Sequence, residues 1–146
     1  MTRVVALKAF GLWVVILLLA IANGAFREGI LLEALPRSTA FMASGLLLIL
    51  CIFAVALLLI PWLGRLSVAR YVLVGLLWVV LTVAFEFGFG LLVRGQPLSL
   101  LLEAYRFRDG NIWPLVLAVV AAAPAAAGWF RRARNGRGIA STRQRV

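Results

Sequence analysis

Four long apolar runs dominate the sequence, and short polar stretches separate them. The runs lie at residues 9–26, 41–63, 71–93 and 112–130. Each is within the roughly 17–25 residues that an α-helix needs to cross a hydrocarbon core, because the helix rises 1.5 Å per residue. The pattern therefore predicts an all-α, polytopic membrane protein with four transmembrane helices.

The first run also has features of a cleavable secretory signal. Basic residues precede it, and Ala20-Ile21-Ala22 matches the small-residue pattern of a cleavage site. We favour an uncleaved helix, because three more spans follow and apolar character already begins at Val4, which gives the run enough length to cross.

Two of the three connections are long enough to hold structure of their own. In residues 27–40, charges bracket a short apolar piece that ends at Pro36, and in residues 94–111 leucines recur at helical spacing after Pro97. We predict a short interfacial segment or helix in each. The same four residues, Leu-Leu-Glu-Ala, occur at 31–34 and 101–104. Either this match is chance, or it marks an internal duplication with a parallel pseudo-two-fold axis.

The composition and the placement of charge support a membrane location. Of the 146 residues, 64% are hydrophobic, so lipid must solvate part of the surface. The net charge is +10, and ten of the fifteen cationic residues fall on the side that holds both termini, against five in the two longer connections. The positive-inside rule then places both termini in the cytoplasm of a multi-pass protein of the inner (plasma) membrane.

The last sixteen residues differ from the rest of the chain. Six arginines lie between Arg131 and Arg145, with glycine and polar residues among them. We divide the chain into a transmembrane domain at 1–130 and a basic, disordered cytoplasmic tail at 131–146. Such a tail is attracted to anionic lipids. We do not expect nucleic acid as its partner, because no aromatic platform accompanies the arginines.

Glu86 is the carboxylate within the third apolar run. A charge at that depth costs roughly 2.5–3.5 kcal/mol by insertion scales, so it should have a partner or be neutral. The topology puts Asn23 and Arg27, which are four residues apart on one helix face, at the same end of the bundle. We therefore predict that Arg27 pairs with Glu86 and that Asn23 is a hydrogen-bond neighbour. Glu28 faces elsewhere, toward the arginines of the outer connections at 94, 106 and 108.

Two further residues complete the candidate set for a ligand or an ion pair. Gly90 shares a helix face with Glu86 and allows a neighbouring helix or a ligand to come close to the backbone. Tyr105 is most simply a residue that orders its loop, as is Asn111. The sequence has no histidine and a single cysteine, Cys51, so we predict no metal site, no cofactor and no catalytic residues.

Several spaced residues resemble those of a family of small, uncharacterised bacterial membrane proteins with four spans. The matching positions are Asn23-x-x-x-Arg27-Glu28, Phe85-Glu86-Phe87-Gly88-Phe89-Gly90, Leu101-Leu102-x-x-Tyr105 and Gly110-x-x-Trp113-x-Leu115. The resemblance covers most of residues 10–130. It implies the four-span architecture and supports the choice of site residues, but the family has no assigned activity.

Two functions remain open from the sequence. In the first, the Asn23, Arg27 and Glu86 cluster is structural, and the chain acts as an interaction or assembly module in the membrane, with a second copy or another membrane protein as its partner. In the second, the same cluster binds or transports a small polar or lipid-derived ligand. Neither predicts an enzyme.

Overall fold

The computed structural model describes residues 2–143, and side chains from residue 2 to residue 133. This part of the chain is helical and contains no strand, which confirms the all-α prediction. We number its α-helices in chain order. They are α1 (Arg3–Phe26), α2 (Arg37–Leu59), α3 (Val68–Gly88), the short α4 (Leu98–Glu103) and α5 (Trp113–Arg143).

Three of these helices continue into turns of different pitch. After α1 the chain makes a π-helical turn, Arg27–Leu31, and a last α-helical turn, Leu32–Ala34. After α2 it makes a 3-10 turn, Ile60–Leu63, and after α3 a second π-helical turn, Phe89–Val93. With these extensions, four helical stretches are long and apolar enough to cross a membrane, and each corresponds to one predicted span to within a residue or contains it.

The two longer connections differ from each other. The first was predicted to hold a separate interfacial segment, and this is wrong. The helix that begins at Arg3 runs on to Ala34, and only Leu35 and Pro36 separate it from α2. The charged and apolar residues at 27–34 are good helix formers, and the helix stops just before the proline. In the second connection the predicted short helix is present as α4, with Pro97 at its N-cap.

Interhelical contacts define the order of the four long helices. Trp78 Nε1 donates to the Ala9 carbonyl at 2.8 Å, and Trp13 Nε1 donates to Thr82 Oγ1 at 3.1 Å. From the first bond to the second, the position on α1 advances from 9 to 13 and the position on α3 from 78 to 82. Helices α1 and α3 therefore run parallel. Helix α1 packs on α2 and α3, and α5 packs on the same two helices. The order around the bundle is therefore α1, α2, α5, α3.

This order does not fit the duplication suggested by the Leu-Leu-Glu-Ala match. A two-fold axis along the bundle would place equivalent helices across the axis from each other. Helices α1 and α3, which would be equivalent, are instead neighbours. The two copies of the motif also have different structures, since the first ends a long helix and the second belongs to α4.

The interior is apolar and so is much of the outer flank. Trp78, Val74 and Ile52 are at most 1% exposed at the centre, whereas long aliphatic side chains such as Leu58 and Leu92 are exposed on the outside. An apolar flank of this kind is what a lipid environment accommodates and what a water-soluble bundle avoids.

The predicted tail begins as a continuation of α5. The helix passes residue 130 without a break and ends at Arg143, and the guanidinium of Arg132 donates to the Leu66 carbonyl at 2.6 Å. Arginine and alanine at 131–133 favour helix, so the change to basic sequence does not end it. Residues 144–146 of the predicted disordered segment lie outside the described residues.

Candidate functional site

A cavity of about 660 Å³ occupies one end of the bundle. At this end, which we call the cavity end, α1 and α3 finish and α2 and α5 begin. The second long connection, residues 94–112, contributes many of its lining residues. Of the predicted site residues, Asn23, Arg27, Glu86 and Gly90 line the cavity, whereas Glu28 and Tyr105 are not among the lining residues.

Glu86 is held by two neutral donors. Its Oε2 accepts from the Tyr105 hydroxyl at 2.5 Å and from Trp113 Nε1 at 3.1 Å. Helix α5 runs antiparallel to α3, so its first residue, Trp113, meets the end of α3. Among the residues that the structure describes, no cation lies within ion-pairing distance of Glu86.

Asn111 fixes the loop that carries these donors. Its Nδ2 donates to the carbonyls of Ala104, at 2.7 Å, and Arg106, at 2.9 Å. Its Oδ1 accepts from the backbone N–H of Trp113 at 3.0 Å. The side chain therefore ties the end of α4 to the start of α5, and the prediction that Asn111 orders the loop is confirmed.

The predicted ion pair between Arg27 and Glu86 is wrong. The Arg27 guanidinium bonds Glu28 Oε1 at 3.0 Å and lies 4.5 Å from the centre of the Phe41 ring. Glu28 consequently pairs with its own neighbour rather than with Arg94, Arg106 or Arg108. Arg27 is the first residue of the π-helical turn and lies beside α2. The Phe41 ring of α2 is therefore a nearer partner for the guanidinium than α3 provides. Arg27 and Glu86 still line the same cavity.

Asn23 joins α1 to α2 and not to Glu86. Its Nδ2 donates to the Ser44 carbonyl at 3.1 Å, and only 8% of the residue is exposed. Because that carbonyl can only accept, the amide must turn its nitrogen toward α2. The Asn23 Oδ1 is buried and has no donor among the described residues.

Gly90 is a point of close approach, as predicted. A Cβ placed on it would lie 2.5 Å from Leu101 Cδ2. Leu101, which is buried, therefore docks α4 onto the π-helical turn that ends the third span. Tyr105 adds a second contact between the same segments through Glu86. The connection is thus fixed against α3 at two points.

The Tyr105 hydroxyl is a donor that resists ionisation. Burial raises the pKa of Tyr105 above its ordinary value of 10.0, and the hydrogen bond to Glu86 and the charge of that carboxylate raise it further. A phenolate beside a carboxylate would be repelled, and a neutral phenol can donate to it. At neutral pH Tyr105 is a stable donor, suited to hold Glu86 in position.

The charged lining of the cavity was not among the predictions from the sequence. Five arginines line the cavity, and they are the same five that were counted as topology signals in the two connections. They are Arg27, Arg37, Arg94, Arg106 and Arg108. The signal was present in the sequence, because connections at the same end of a four-helix bundle must come together. The partner role of Trp113 had no such signal, since tryptophans are common at membrane interfaces.

The arrangement can hold an anion more readily than a metal. Three acidic residues also line the cavity, Glu86, Glu103 and Asp109, and Asp109 lies 3.8 Å from Arg108. Among the described residues, no group of three or more histidine, cysteine or acidic side chains could hold a metal ion. No protein-family model, no curated protein and no solved structure matches the chain.

Proposed function

We propose that this chain is a multi-pass membrane protein that binds an anionic ligand in the cavity at the cavity end of its bundle. The observation that carries the proposal is the convergence of five arginines on one cavity. A cavity of about 660 Å³ is in the range of small-molecule sites, which is roughly 300–1,000 Å³.

The arginines exceed the acidic residues available to neutralise them. Arg94 and Arg106 line the cavity and have no acidic partner among the described residues. Arg37 lies over the Phe41 ring at 5.3 Å, which leaves its N–H groups free for a ligand. Guanidinium groups bind phosphate and carboxylate through paired hydrogen bonds, so the ligand class is a phosphate or a carboxylate.

Binding is favoured over the assembly function because of the contacts of Arg27 and Glu86. The assembly hypothesis was built on an ion pair between them that would lock the first and third spans together. Each residue has other partners, and both line the cavity. A homo-oligomer or another membrane partner remains a prediction from the sequence.

The excess of cations at the opposite end supports an orientation. Lys8, Arg65 and Arg70 lie at the end of the bundle away from the cavity, on the side of the arginine-rich C-terminal segment. By the positive-inside rule that end faces the cytoplasm, and the cavity faces outward across the inner (plasma) membrane. The basic C-terminal segment would then lie beside anionic lipids of the inner leaflet.

The test removes charge at each end of the bundle in turn. Purified protein in a neutral detergent is titrated with dihexanoyl phosphatidic acid, and dihexanoyl phosphatidylcholine serves as the lipid without net charge. Binding is measured by calorimetry and by the shift in melting temperature. The site variant is Arg37→Gln/Arg94→Gln. The matched control is Arg65→Gln/Arg70→Gln, which removes the same charge far from the cavity.

The phosphatidic acid is expected to bind the unmodified protein and the control variant and to stabilise both. The site variant should lose affinity on the order of tenfold or more, since each lost charge-assisted hydrogen bond is worth roughly 1.5–3 kcal/mol. Equal binding of the two lipids, or equal losses in the two variants, would overturn the proposal.

A further inference from the structure

We infer that the cavity opens sideways between α1 and α3, and that its ligand is an anionic amphiphile whose hydrocarbon chain lies in this opening. The inference rests on the proposed function, because it takes the arginines as the site of the anionic group. It adds the class of ligand and the route by which the ligand enters.

Near the cavity end, the bundle edge between α1 and α2 is closed. Asn23 donates to the Ser44 carbonyl across it, and the Arg27 guanidinium lies over the Phe41 ring. Both contacts join the last turns of the first helix to the first turns of the second.

The edges that involve α5 are closed as well. Between α3 and α5, Trp113 donates to Glu86. Between α2 and the residues that lead into α5, a Cβ on Gly110 would strike the Ser38 carbonyl oxygen, and one on Gly45 would lie 2.5 Å from the Ile112 side chain. Three of the four edges are therefore sealed by side-chain or backbone contact.

The fourth edge is hydrogen-bonded only as far as the deepest part of the cavity. Of the two hydrogen bonds between α1 and α3, the one from Trp78 to Ala9 lies away from the cavity, and the one from Trp13 reaches Thr82, which is a lining residue. From Thr82 toward the cavity end, residues of both helices line the cavity. These residues are Ile21 and Gly24 of α1 and Phe85 and Phe89 of α3.

Two of these lining residues are also well exposed. Ile21 is 53% exposed and Phe89 is 44% exposed, and each lines the cavity. Exposure of this extent on both helices fits a cavity that is open along the edge between them. The rim is apolar on both sides, with the stacked rings of Phe85 and Phe89 forming one of them. In a membrane, such an opening faces acyl chains and not water.

The charged and the apolar parts of the cavity match the head group and the hydrocarbon chain of an amphiphile. Its arginines lie at the cavity end, where the two long connections are, and its deeper wall is formed by apolar residues such as Leu17, Leu48 and Val116. A ligand with an anionic head and a chain can place the head among the arginines and the chain in the opening. A small, fully hydrated anion would leave the apolar wall uncovered.

The test closes the opening while leaving the arginines in place. Gly24 lines the cavity and a Cβ on it would meet nothing within 4 Å, so Gly24→Phe adds a ring at the opening without crowding at its first carbon. Gly88→Phe is the matched control, because a Cβ there also meets nothing within 4 Å and Gly88 is not a lining residue. The probes are methyl phosphate and octyl phosphate, which share a head group and differ in their chain.

In the unmodified protein and in Gly88→Phe, octyl phosphate is expected to bind at least about tenfold more tightly than methyl phosphate. Gly24→Phe should abolish that preference and keep the affinity for methyl phosphate. Comparison of the variants in one detergent cancels the partition of octyl phosphate into micelles. If both phosphates bind equally to the unmodified protein, or if Gly24→Phe keeps the preference, the lateral route fails although anion binding stands. If neither binds, the proposed function fails too.

A second measurement does not depend on a variant that folds. A long-chain alkyl phosphate with a photoreactive group on its chain is cross-linked to the unmodified protein in lipid nanodiscs, and the labelled peptides are mapped. Excess unlabelled ligand should suppress labelling at residues 17–24 and 85–89. Labelling spread evenly over the flank, including the exposed side chains at residues 57–59, would contradict the inference.

Discussion

The carboxylate of Glu86 and the hydroxyl of Tyr105 form a 2.5 Å hydrogen bond between the end of α3 and the connection that follows α4. The bond joins residues nineteen positions apart and fixes a loop that lines the cavity. It occupies the position that the sequence assigned to the guanidinium of Arg27. Glu86 therefore positions a loop and does not lock the first span to the third.

This relationship predicts strong coupling between Glu86 and Tyr105 in unfolding measurements. In a double-mutant cycle with Glu86→Gln and Tyr105→Phe, the two losses should be non-additive by roughly 1.5–3 kcal/mol, the range for hydrogen bonds to charged groups. A parallel cycle with Arg27→Gln and Glu86→Gln should be additive within about 0.5 kcal/mol. Strong coupling in the second cycle would restore the ion pair predicted from sequence.

The raised pKa of Tyr105 predicts a pH dependence. A group whose pKa is higher in the folded state stabilises the fold below its unfolded pKa, and this contribution falls as the pH rises through the range in which the phenol ionises. The difference in melting temperature between the unmodified protein and Tyr105→Phe should thus be largest at neutral pH and shrink above about pH 10. A difference that stayed constant to pH 11 would argue against the pKa shift.

Helix α3 and helix α5 meet so closely at Gly75 that the position should accept no larger residue. A Cβ there would lie 1.9 Å from the carbonyl oxygen of Ala121, and backbone cannot move aside cheaply. Gly75→Ala is expected to lower the free energy of unfolding by about 1–3 kcal/mol or more. Gly88→Ala, which meets nothing within 4 Å, is the control and should be neutral or stabilising. Equal effects would show that the contact is not rigid.

Gly90 should behave differently, because the atoms it would strike belong to the flexible end of the Leu101 side chain. We expect Gly90→Ala to cost about 1 kcal/mol, less than Gly75→Ala. In a Leu101→Ala background the same change should cost little, since the obstructing methyl groups are gone. The double-mutant cycle is measured by thermal unfolding in detergent. Additive effects would mean that α4 does not dock on Gly90.

Much of the fold follows from hydrophobic pattern alone. The four runs correspond to the four long helices because only helices of that length satisfy every backbone group in an apolar environment. Close helix contact at small residues could be expected, but not which helices meet: Gly75 of α3 faces Ala121, and Gly128 of α5 faces the Tyr71 ring. The π-helical pitch at Arg27–Leu31 could not be predicted, because a hydrophobic pattern indicates a helix and does not locate single π turns within it.

The sequence predicted where the site lies, but not which side chains pair with each other within it. Asn23, Arg27, Glu86 and Gly90 do lie around one cavity, because topology fixes which helix ends share a side of the bundle. Which donor reaches Glu86 depends on side-chain reach and on the fold of a loop. Tyr105 and Trp113 are held in place by Asn111, which lies far along the chain from the acid. Sequence spacing carries no information on such loop geometry.

The two π-helical turns at the ends of the first and third spans have a consequence for chain length. A π turn accommodates one more residue than an α turn. Deleting one residue within Phe89–Val93 would let the segment revert to regular α-helix without breaking it, and the residues after it would keep nearly the same direction about the helix axis, because the wider turn had absorbed the extra residue. Arg94 and Gln96 would then stay in the cavity wall. The end of the third span can thus lose one residue, but not two, without redirecting the charged loop that follows it.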